Sequence, residues 1–252
     1  MKLLLDIGNS RIKVATLTER GLSVHDPITV TKPDDHQRLY AAVAPLASRL
    51  TICLASSVAD RAFNRAIELS LAPLNVQWAT SLASAAGIVN GYPDPSQLGV
   101  DRWVSMLGLT RHFGDAHPPI VLASFGTATT VDTLSPDNRF EGGLILPGIT
   151  MMHQALASGT ANLPPTPGAV EDFPTNTVNA ISSGVVAAQI GAVTRQVTLA
   201  AQRFEQMPVL CIAGGARAAI MHALTSALPD VATRELPHVV LDGLCMLATV
   251  ND

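Results

Sequence analysis

The sequence is poor in charge and in aromatic rings: Asp, Glu, Lys and Arg make up 14% of its 252 residues, and Phe, Trp and Tyr only 4%. Soluble domains usually carry about 25% charged residues. With 48% hydrophobic residues the chain has ample material for a buried core, which excludes intrinsic disorder. The net charge is -4, and no block of five or six like charges occurs. That pattern lacks the electrostatic footprint of a protein that tracks nucleic acid or an anionic membrane, so neither is expected as a partner. Cysteine is scarce: Cys53, Cys211 and Cys245 are odd in number and far apart, which fits neither a disulfide framework nor a zinc pattern and suits core thiols in a reducing cytoplasm. The seven histidines form no H-E-x-x-H and no pairing with cysteine, so no imidazole metal site is expected. Long hydrophobic runs are missing as well. Leu3 to Leu5 is too short for a signal peptide. The two uncharged stretches, 142–170 and 173–194, are interrupted by Pro, Asn, Gln, Ser and Thr and read as buried protein.

What is present is a repeated α/β grammar. Lys2 to Ile7, Arg11 to Leu17 and Leu22 to Val30 are short and β-rich, and predict a three-stranded meander. A helix after Asp34-Asp35 to about Leu50, a strand Thr51 to Ala55 and a helix Asp60 to Leu71 complete the order βββαβα. A Gly/Pro-rich passage, Gly87 to Gly99, precedes a helix from Val100 to Phe113, and 114–119 breaks the chain. The pattern then restarts with Ile120 to Ser124, Thr129 to Leu134 and Phe140 to Leu146. It continues with helices at Thr150 to Ala157 and Asn176 to Glu205, strand Val209 to Ala213, and helices Ala216 to Leu228 and Asp242 to Val250. The reading is a domain duplication, lobes 1–114 and 115–252, with a cleft between them of the kind that holds small ligands.

Five clusters can carry chemistry. In Asp6-Ile7-Gly8-Asn9-Ser10-Arg11-Ile12-Lys13 a carboxylate ends a strand before a small polar turn, and a lysine follows across the hairpin. Asp6 suits Mg²⁺ and Lys13 suits phosphate, although an ordinary strand turn gives the same letters. Ser124-Phe125-Gly126-Thr127-Ala128-Thr129-Thr130-Val131-Asp132 occupies the matching place in the second half and is rich in hydroxyls and amide N–H groups. Ala213-Gly214-Gly215-Ala216-Arg217 opens a helix after a strand, which suits either a nucleotide or close packing. Gly99-Val100-Asp101-Arg102-Trp103, after the loop Asn90-Gly91-Tyr92-Pro93, sets an acid beside a base. Asp101 there is either a helix cap or the acceptor of a hydroxyl proton, and Arg102 is either a solvent-facing neighbour or a carboxylate fork. Glu141-Gly142-Gly143 to Pro147-Gly148 is a Gly-rich strand that allows close backbone approach or simply packs tightly.

The ordered set D-I-G-N-S-R-I-K, Y-P, G-V-D-R-W, F-G-T-A-T-T-V-D, G-G-L-I-L-P-G, N-T-V-N-A-I-S-S-G and A-G-G-A resembles the type III pantothenate kinases across nearly the whole chain. Those enzymes belong to the acetate and sugar kinase, heat-shock chaperone and actin superfamily. The resemblance implies an α/β fold of two ribonuclease-H-like (actin-like) lobes, a homodimer, and transfer of the ATP γ-phosphoryl group to pantothenate, the entry to coenzyme A. It implies Asp101 as general base, Asp6 as the Mg²⁺ partner, and Gly8, Asn9, Ser10 and Lys13 as a first phosphate loop. It further implies Gly126, Thr127 and Thr129 as a second phosphate loop and Gly214 and Gly215 beside the adenosine. Tyr92, Gly99, Val100, Arg102 and Thr177 would join Asp101 around pantothenate, Thr177 from across the dimer. One position departs from the pattern: many relatives carry an acid where this chain has Ser124, and a hydroxyl is the weaker ligand for the family's monovalent cation (K⁺ or NH₄⁺).

Two other readings compete. A catalytically quiet nucleotide-binding regulator keeps the fold without turnover, and intact Asp6, Lys13, Asp101 and Arg102 speak against it. A same-fold kinase with another small acceptor differs only in the pocket, and the pairing of Arg102 with Asp101 favours an acidic alcohol. A Rossmann dehydrogenase is a poorer third reading, since no G-x-G-x-x-G follows the first strand.

Overall fold

The computed structural model describes residues 1–30, 36–114 and 116–250, with the backbone alone for Val250. The helix start expected at Asp34-Asp35 lies outside the described residues. The chain divides into two compact units, Met1–Asp115 with His238–Asp252, and Ala116–Pro237.

In the first unit the strands are β1 (Lys2–Ile7), β2 (Arg11–Thr18), β3 (Gly21–Val24), β4 (Ile28–Thr29), β5 (Ile52–Ser57) and β6 (Val76–Trp78). Their order is β3-β2-β1-β5-β6, with β4 also on β2; β1 and β2 are antiparallel, while β1, β5 and β6 run parallel. Pro27 interrupts the expected third strand, which becomes two short pieces. Helix α1 (His36–Val43) gives way to a 3-10 turn at Ala44–Arg49, because Pro45 cannot continue an α-helix. Helix α2 (Arg61–Leu71) starts where Asp60 accepts a hydrogen bond from the Phe63 N–H at 2.8 Å.

Strand alternation decides which face holds what. Leu3, Leu5, Ile7, Ile12, Val14, Cys53 and Ala55 pack with Leu39, Val43, Ile67 and Leu71 in one core. The intervening residues, including Asp6 and Ser56, therefore point to the opposite face.

On that face lie α3 (Val100–Leu109) and, from the far end of the chain, α7 (Val239–Val250). They cross at two glycines. A Cβ on Gly108 would fall on the Val239 carbonyl oxygen, and one on Gly243 on the Val104 carbonyl oxygen. His112 and Arg111 also meet Asp242, at 2.9 and 3.5 Å. By these contacts the last helix belongs to the first unit, whereas the sequence pattern places it in the second lobe. A hairpin of β7 (Ser84–Ala85) and β8 (Ile88–Asn90) precedes α3 and was not foreseen.

The second unit repeats the topology. Strands β9 (Ile120–Phe125), β10 (Ala128–Leu134), β11 (Arg139–Pro147), β12 (Val209–Ala213) and β13 (Thr233–Glu235) run in the order β13-β12-β9-β10-β11. Strand β10 is antiparallel to both neighbours, and β9, β12 and β13 are parallel. Written as third-second-first-fourth-fifth, this is the order of the first sheet, so the ribonuclease-H-like arrangement occurs twice.

Helix α4 (Ile149–Gly159) precedes α5 (Thr177–Phe204), whose first turn is capped by Asn176 accepting from the Asn179 N–H at 2.9 Å. By length and composition α5 could cross a bilayer. Instead Val186, Val193, Val197 and Ala200, at helical spacing, join the core formed with β9, β10 and β12. The expected helix 216–228 is split into a 3-10 turn at Arg217–Ala219 and α6 (Met221–Ala227). The uncharged stretches are not buried throughout: Val170 is 54% and Phe173 91% exposed.

Candidate active site

The first-unit site is built on the end of β1. Asp6 stands directly opposite Lys13 across the antiparallel pair, and Lys13 Nζ donates to Asp6 Oδ2 at 3.0 Å. Lys13 thus braces the carboxylate as well as bringing positive charge to it, and Oδ1 is left for another partner. Beyond Ile7 the chain turns through Gly8, Asn9 and Ser10, closed by the Gly8 N–H donating to the Arg11 carbonyl at 2.9 Å. Asn9 and Ser10 are exposed at the tip.

The start of α3 supplies the second group. Asp101 lies in its first turn and accepts from the backbone N–H of Arg102 at 2.9 Å. Burial pushes its carboxyl above its ordinary value, the Asp6 charge adds to that, and the backbone N–H bonds and Arg102 oppose it. Asp101 and Asp6 are therefore close enough to repel. A Cβ on Gly99 would sit 3.0 Å from Asp101 Oδ1, so a larger residue there would displace the carboxylate.

Arg102 is only 6% exposed. Its Nη1 donates to Tyr92 Oη at 3.0 Å, and its guanidinium carbon lies 5.9 Å from the Tyr92 ring centroid. Tyr92 is placed by Asn90, whose side chain accepts from the Tyr92 N–H at 3.0 Å and donates to Ser81 Oγ and the Leu82 carbonyl, each at 3.1 Å. The first unit therefore pairs Asp6 with Lys13 and Arg102 with Tyr92, sets Gly99, Val100 and Asp101 at the same helix start, and adds Asn90 as the support of the tyrosine loop. A buried asparagine that satisfies a turn could have been suspected from Asn90-Gly91.

Magnesium fits this donor set. No group of three or more His, Cys, Asp or Glu side chains that could cage a metal occurs among the described residues. Mg²⁺ commonly needs only one or two carboxylates, with water and substrate phosphate completing its shell. Asp6, with one oxygen uncommitted, meets that requirement.

The second unit reproduces the scaffold with different chemistry. Ser124 takes the place of Asp6, and its cross-strand partner Thr130 takes the place of Lys13. The turn Gly126-Thr127 is exposed and closed by the Gly126 N–H donating to the Ala128 carbonyl at 3.0 Å. Thr129 needs correction as a phosphate contact. It pairs with Phe125, is 0% exposed, and buries its hydroxyl without a hydrogen-bond partner. Its counterpart in the first unit is the core residue Ile12, and Thr130 is the hydroxyl that shares the Ser124 face.

Gly214 has φ +89, and a Cβ there would strike the Phe125 carbonyl oxygen. The glycine is needed to bring β12 against β9, a packing role that exists whether or not a nucleotide lies nearby. Gly215 is exposed in the same turn. Thr177, at the first position of α5, lines a groove of about 640 Å³ with Pro147, Met152, Leu156, Leu163 and Ile181.

The chain is matched over residues 2–199 by the sequence profile of the family described as type III pantothenate kinase. It is 42% identical to a type III pantothenate kinase of Bordetella petrii, the alignment covering 100% of this chain and 98% of that protein. Among solved structures it is similar to a Sinorhizobium meliloti protein described as a candidate 2-dehydro-3-deoxygalactonokinase (TM-score 0.60, 13% identity, 100% of this chain and 99% of that chain). It is also similar to the activator of 2-hydroxyisocaproyl-CoA dehydratase from Clostridium difficile, solved with bound ADPNP (TM-score 0.52, 10% identity, 99% and 95% covered). The structural likenesses bear on the fold.

Proposed function

The chain belongs to the type III pantothenate kinase family, and from that premise we propose that it transfers the γ-phosphoryl group of ATP to the primary hydroxyl of pantothenate, giving 4′-phosphopantothenate and ADP. The observation that carries the reading is the adjacency of Asp101 and buried Arg102 at the start of α3, in the unit that also holds the Asp6–Lys13 pair.

Phosphoryl transfer asks a protein for positioning and charge neutralisation more than for covalent work. Arg102, fixed by Tyr92, suits the pantothenate carboxylate, and Gly99 and Val100 form the backbone edge beside it. Asp101 accepts the hydroxyl proton as the oxygen bonds to the γ-phosphorus and the bond to the ADP oxygen breaks. Its pKa, raised by burial, makes it a better proton acceptor than a free aspartate. Gly8, Asn9 and Ser10 offer a first phosphate turn and Gly126 and Thr127 a second, with Gly214 and Gly215 assigned to the adenosine. Mg²⁺ on Asp6 would neutralise phosphate charge during transfer. Lys13 holds Asp6 in place and adds a further positive charge.

The monovalent cation is assigned to the Ser124 position, with the Thr130 hydroxyl beside it and no carboxylate on that register row of β9 and β10. The same reading includes a homodimer. Leu156, Phe173 and the groove lined by Thr177 give the second unit an exposed apolar face, suited to a second copy. A cytoplasmic location agrees with three free, buried thiols, of which Cys53 and Cys211 are pushed up to about 12 by burial and so are inert.

Arg102→Met tests the acceptor assignment. The expected result is a KM for pantothenate raised at least about tenfold, from loss of a charge-assisted bond, with the KM for ATP little changed. A pantothenate KM equal to that of the parent protein would remove Arg102 from the acceptor site.

A further inference from the structure

Ser56 belongs to no turn, cap or motif considered so far. It lies on β5 directly beside Asp6 in the parallel β1–β5 pair, so Lys13, Asp6 and Ser56 form one row across three strands. Strand alternation puts all three side chains on the face opposite the core built from Leu5, Ile7 and Ala55, the face on which α3 packs. Ser56 is 1% exposed, and its hydroxyl oxygen is buried without a hydrogen-bond partner.

The neighbouring Ser57 behaves differently. Its Oγ donates to Asn64 Oδ1 at 2.7 Å and accepts from the Ala59 N–H at 3.1 Å, so it ties β5 to α2 and is fully accounted for. An alanine at 56 would fill the strand equally well and would avoid burying an unpaired hydroxyl, a costly arrangement.

We infer that Ser56 is a positioning residue of the phosphoryl-transfer site, its hydroxyl donating to the Asp6 carboxylate or to water held there when Mg·ATP is bound. The inference rests on the assignment of Mg²⁺ to Asp6. Adjacent strands lie ~4.8 Å apart, a spacing that one water spans or that a small side-chain shift closes. Lys13 occupies Asp6 Oδ2 from the β2 side, and Ser56 approaches from the β5 side. With both neighbours engaged, the carboxylate is held in one orientation, in which it would hold Mg²⁺.

The test compares Ser56→Ala, Ser56→Cys and Asp6→Asn with the parent protein, by calorimetric titration of Mg·ATP, thermal melting with and without Mg·ATP, and the Mg²⁺ dependence of turnover. For Ser56→Ala the expected result is a ligand-free Tm equal to or above that of the parent, a Kd for Mg·ATP weakened about tenfold, and a smaller Tm rise on adding Mg·ATP. Half-maximal turnover should need more Mg²⁺, with the KM for pantothenate unchanged. Ser56→Cys, nearly the same size but a poor donor, should bind as weakly as Ser56→Ala, which separates the lost O–H from lost volume. A folded Ser56→Ala that binds Mg·ATP like the parent overturns the inference. If Asp6→Asn loses binding in the same series, the Mg²⁺ assignment survives alone; if Asp6→Asn also binds normally, both fall.

Discussion

Replacing Asp101 by Asn should move activity and stability in opposite directions. The carboxyl is raised above its ordinary pKa by burial and by the Asp6 charge, so the folded protein holds the proton more tightly than the unfolded chain. The folded state then binds more protons, and this group's contribution is fully present below the unfolded value near ~3.9 and is lost as pH rises through the folded value. The ionised form of Asp101 is therefore the one the fold disfavours.

Asparagine removes the charge and keeps a carbonyl oxygen for the Arg102 N–H, now 2.9 Å from Oδ1. The expected melting temperature at pH 7 is therefore equal to or above that of the parent. Turnover should fall at least about a hundredfold, equivalent to roughly 2.7 kcal/mol of barrier, because an amide cannot take the hydroxyl proton. The acid limb of the parent's kcat/KM profile should lie above the pKa of a free aspartate and should vanish from the residual activity of the variant. The assay is coupled ADP release across pH together with calorimetric melting. A folded variant with near-parent turnover would refute the role of base, and a large drop in Tm would refute the account of its electrostatics.

Gly243→Ala should destabilise the first unit, because the added methyl meets the Val104 carbonyl where α3 and α7 cross. Overpacking of about 1–3 kcal/mol corresponds to a Tm lower by roughly 2–12 °C for a chain of this size, measured by calorimetry, and a parent-like Tm would contradict the close crossing. Thr129→Val should leave the KM for ATP unchanged and the Tm equal or higher, since it removes an unpaired buried hydroxyl. An ATP KM raised in that variant would return Thr129 to the phosphate site.

The sequence carried the duplication because it is written locally, in strands that end at Asp6-Ile7-Gly8 and Ser124-Phe125-Gly126. The charges of Asp6, Lys13, Asp101 and Arg102 were legible for a related reason, since each stands within two residues of the end of a largely apolar element. Three-residue edge strands were not legible. Val76–Trp78 is too short to show a period, and the exposed Thr233–Glu235 reads as loop.

In Ala128-Thr129-Thr130-Val131 both faces carry threonine, so the letters do not reveal which hydroxyl faces the core; the register with Phe125 does. The placement of α7 depends on Gly108 meeting the Val239 carbonyl across more than a hundred residues of sequence, a contact with no local signature. Ser56 reads as an ordinary small strand residue until its row with Asp6 and Lys13 is visible.

The most direct test of the central claim is ADP release by the purified protein with ATP and Mg²⁺, measured with pantothenate, with other small hydroxy acids and sugars, and with no acceptor, in Na⁺ and in K⁺ buffers. The account predicts turnover that depends on pantothenate, with one phosphate transferred to its primary hydroxyl for each ADP released. A folded protein that binds ATP and releases no ADP in response to pantothenate in either salt would contradict it.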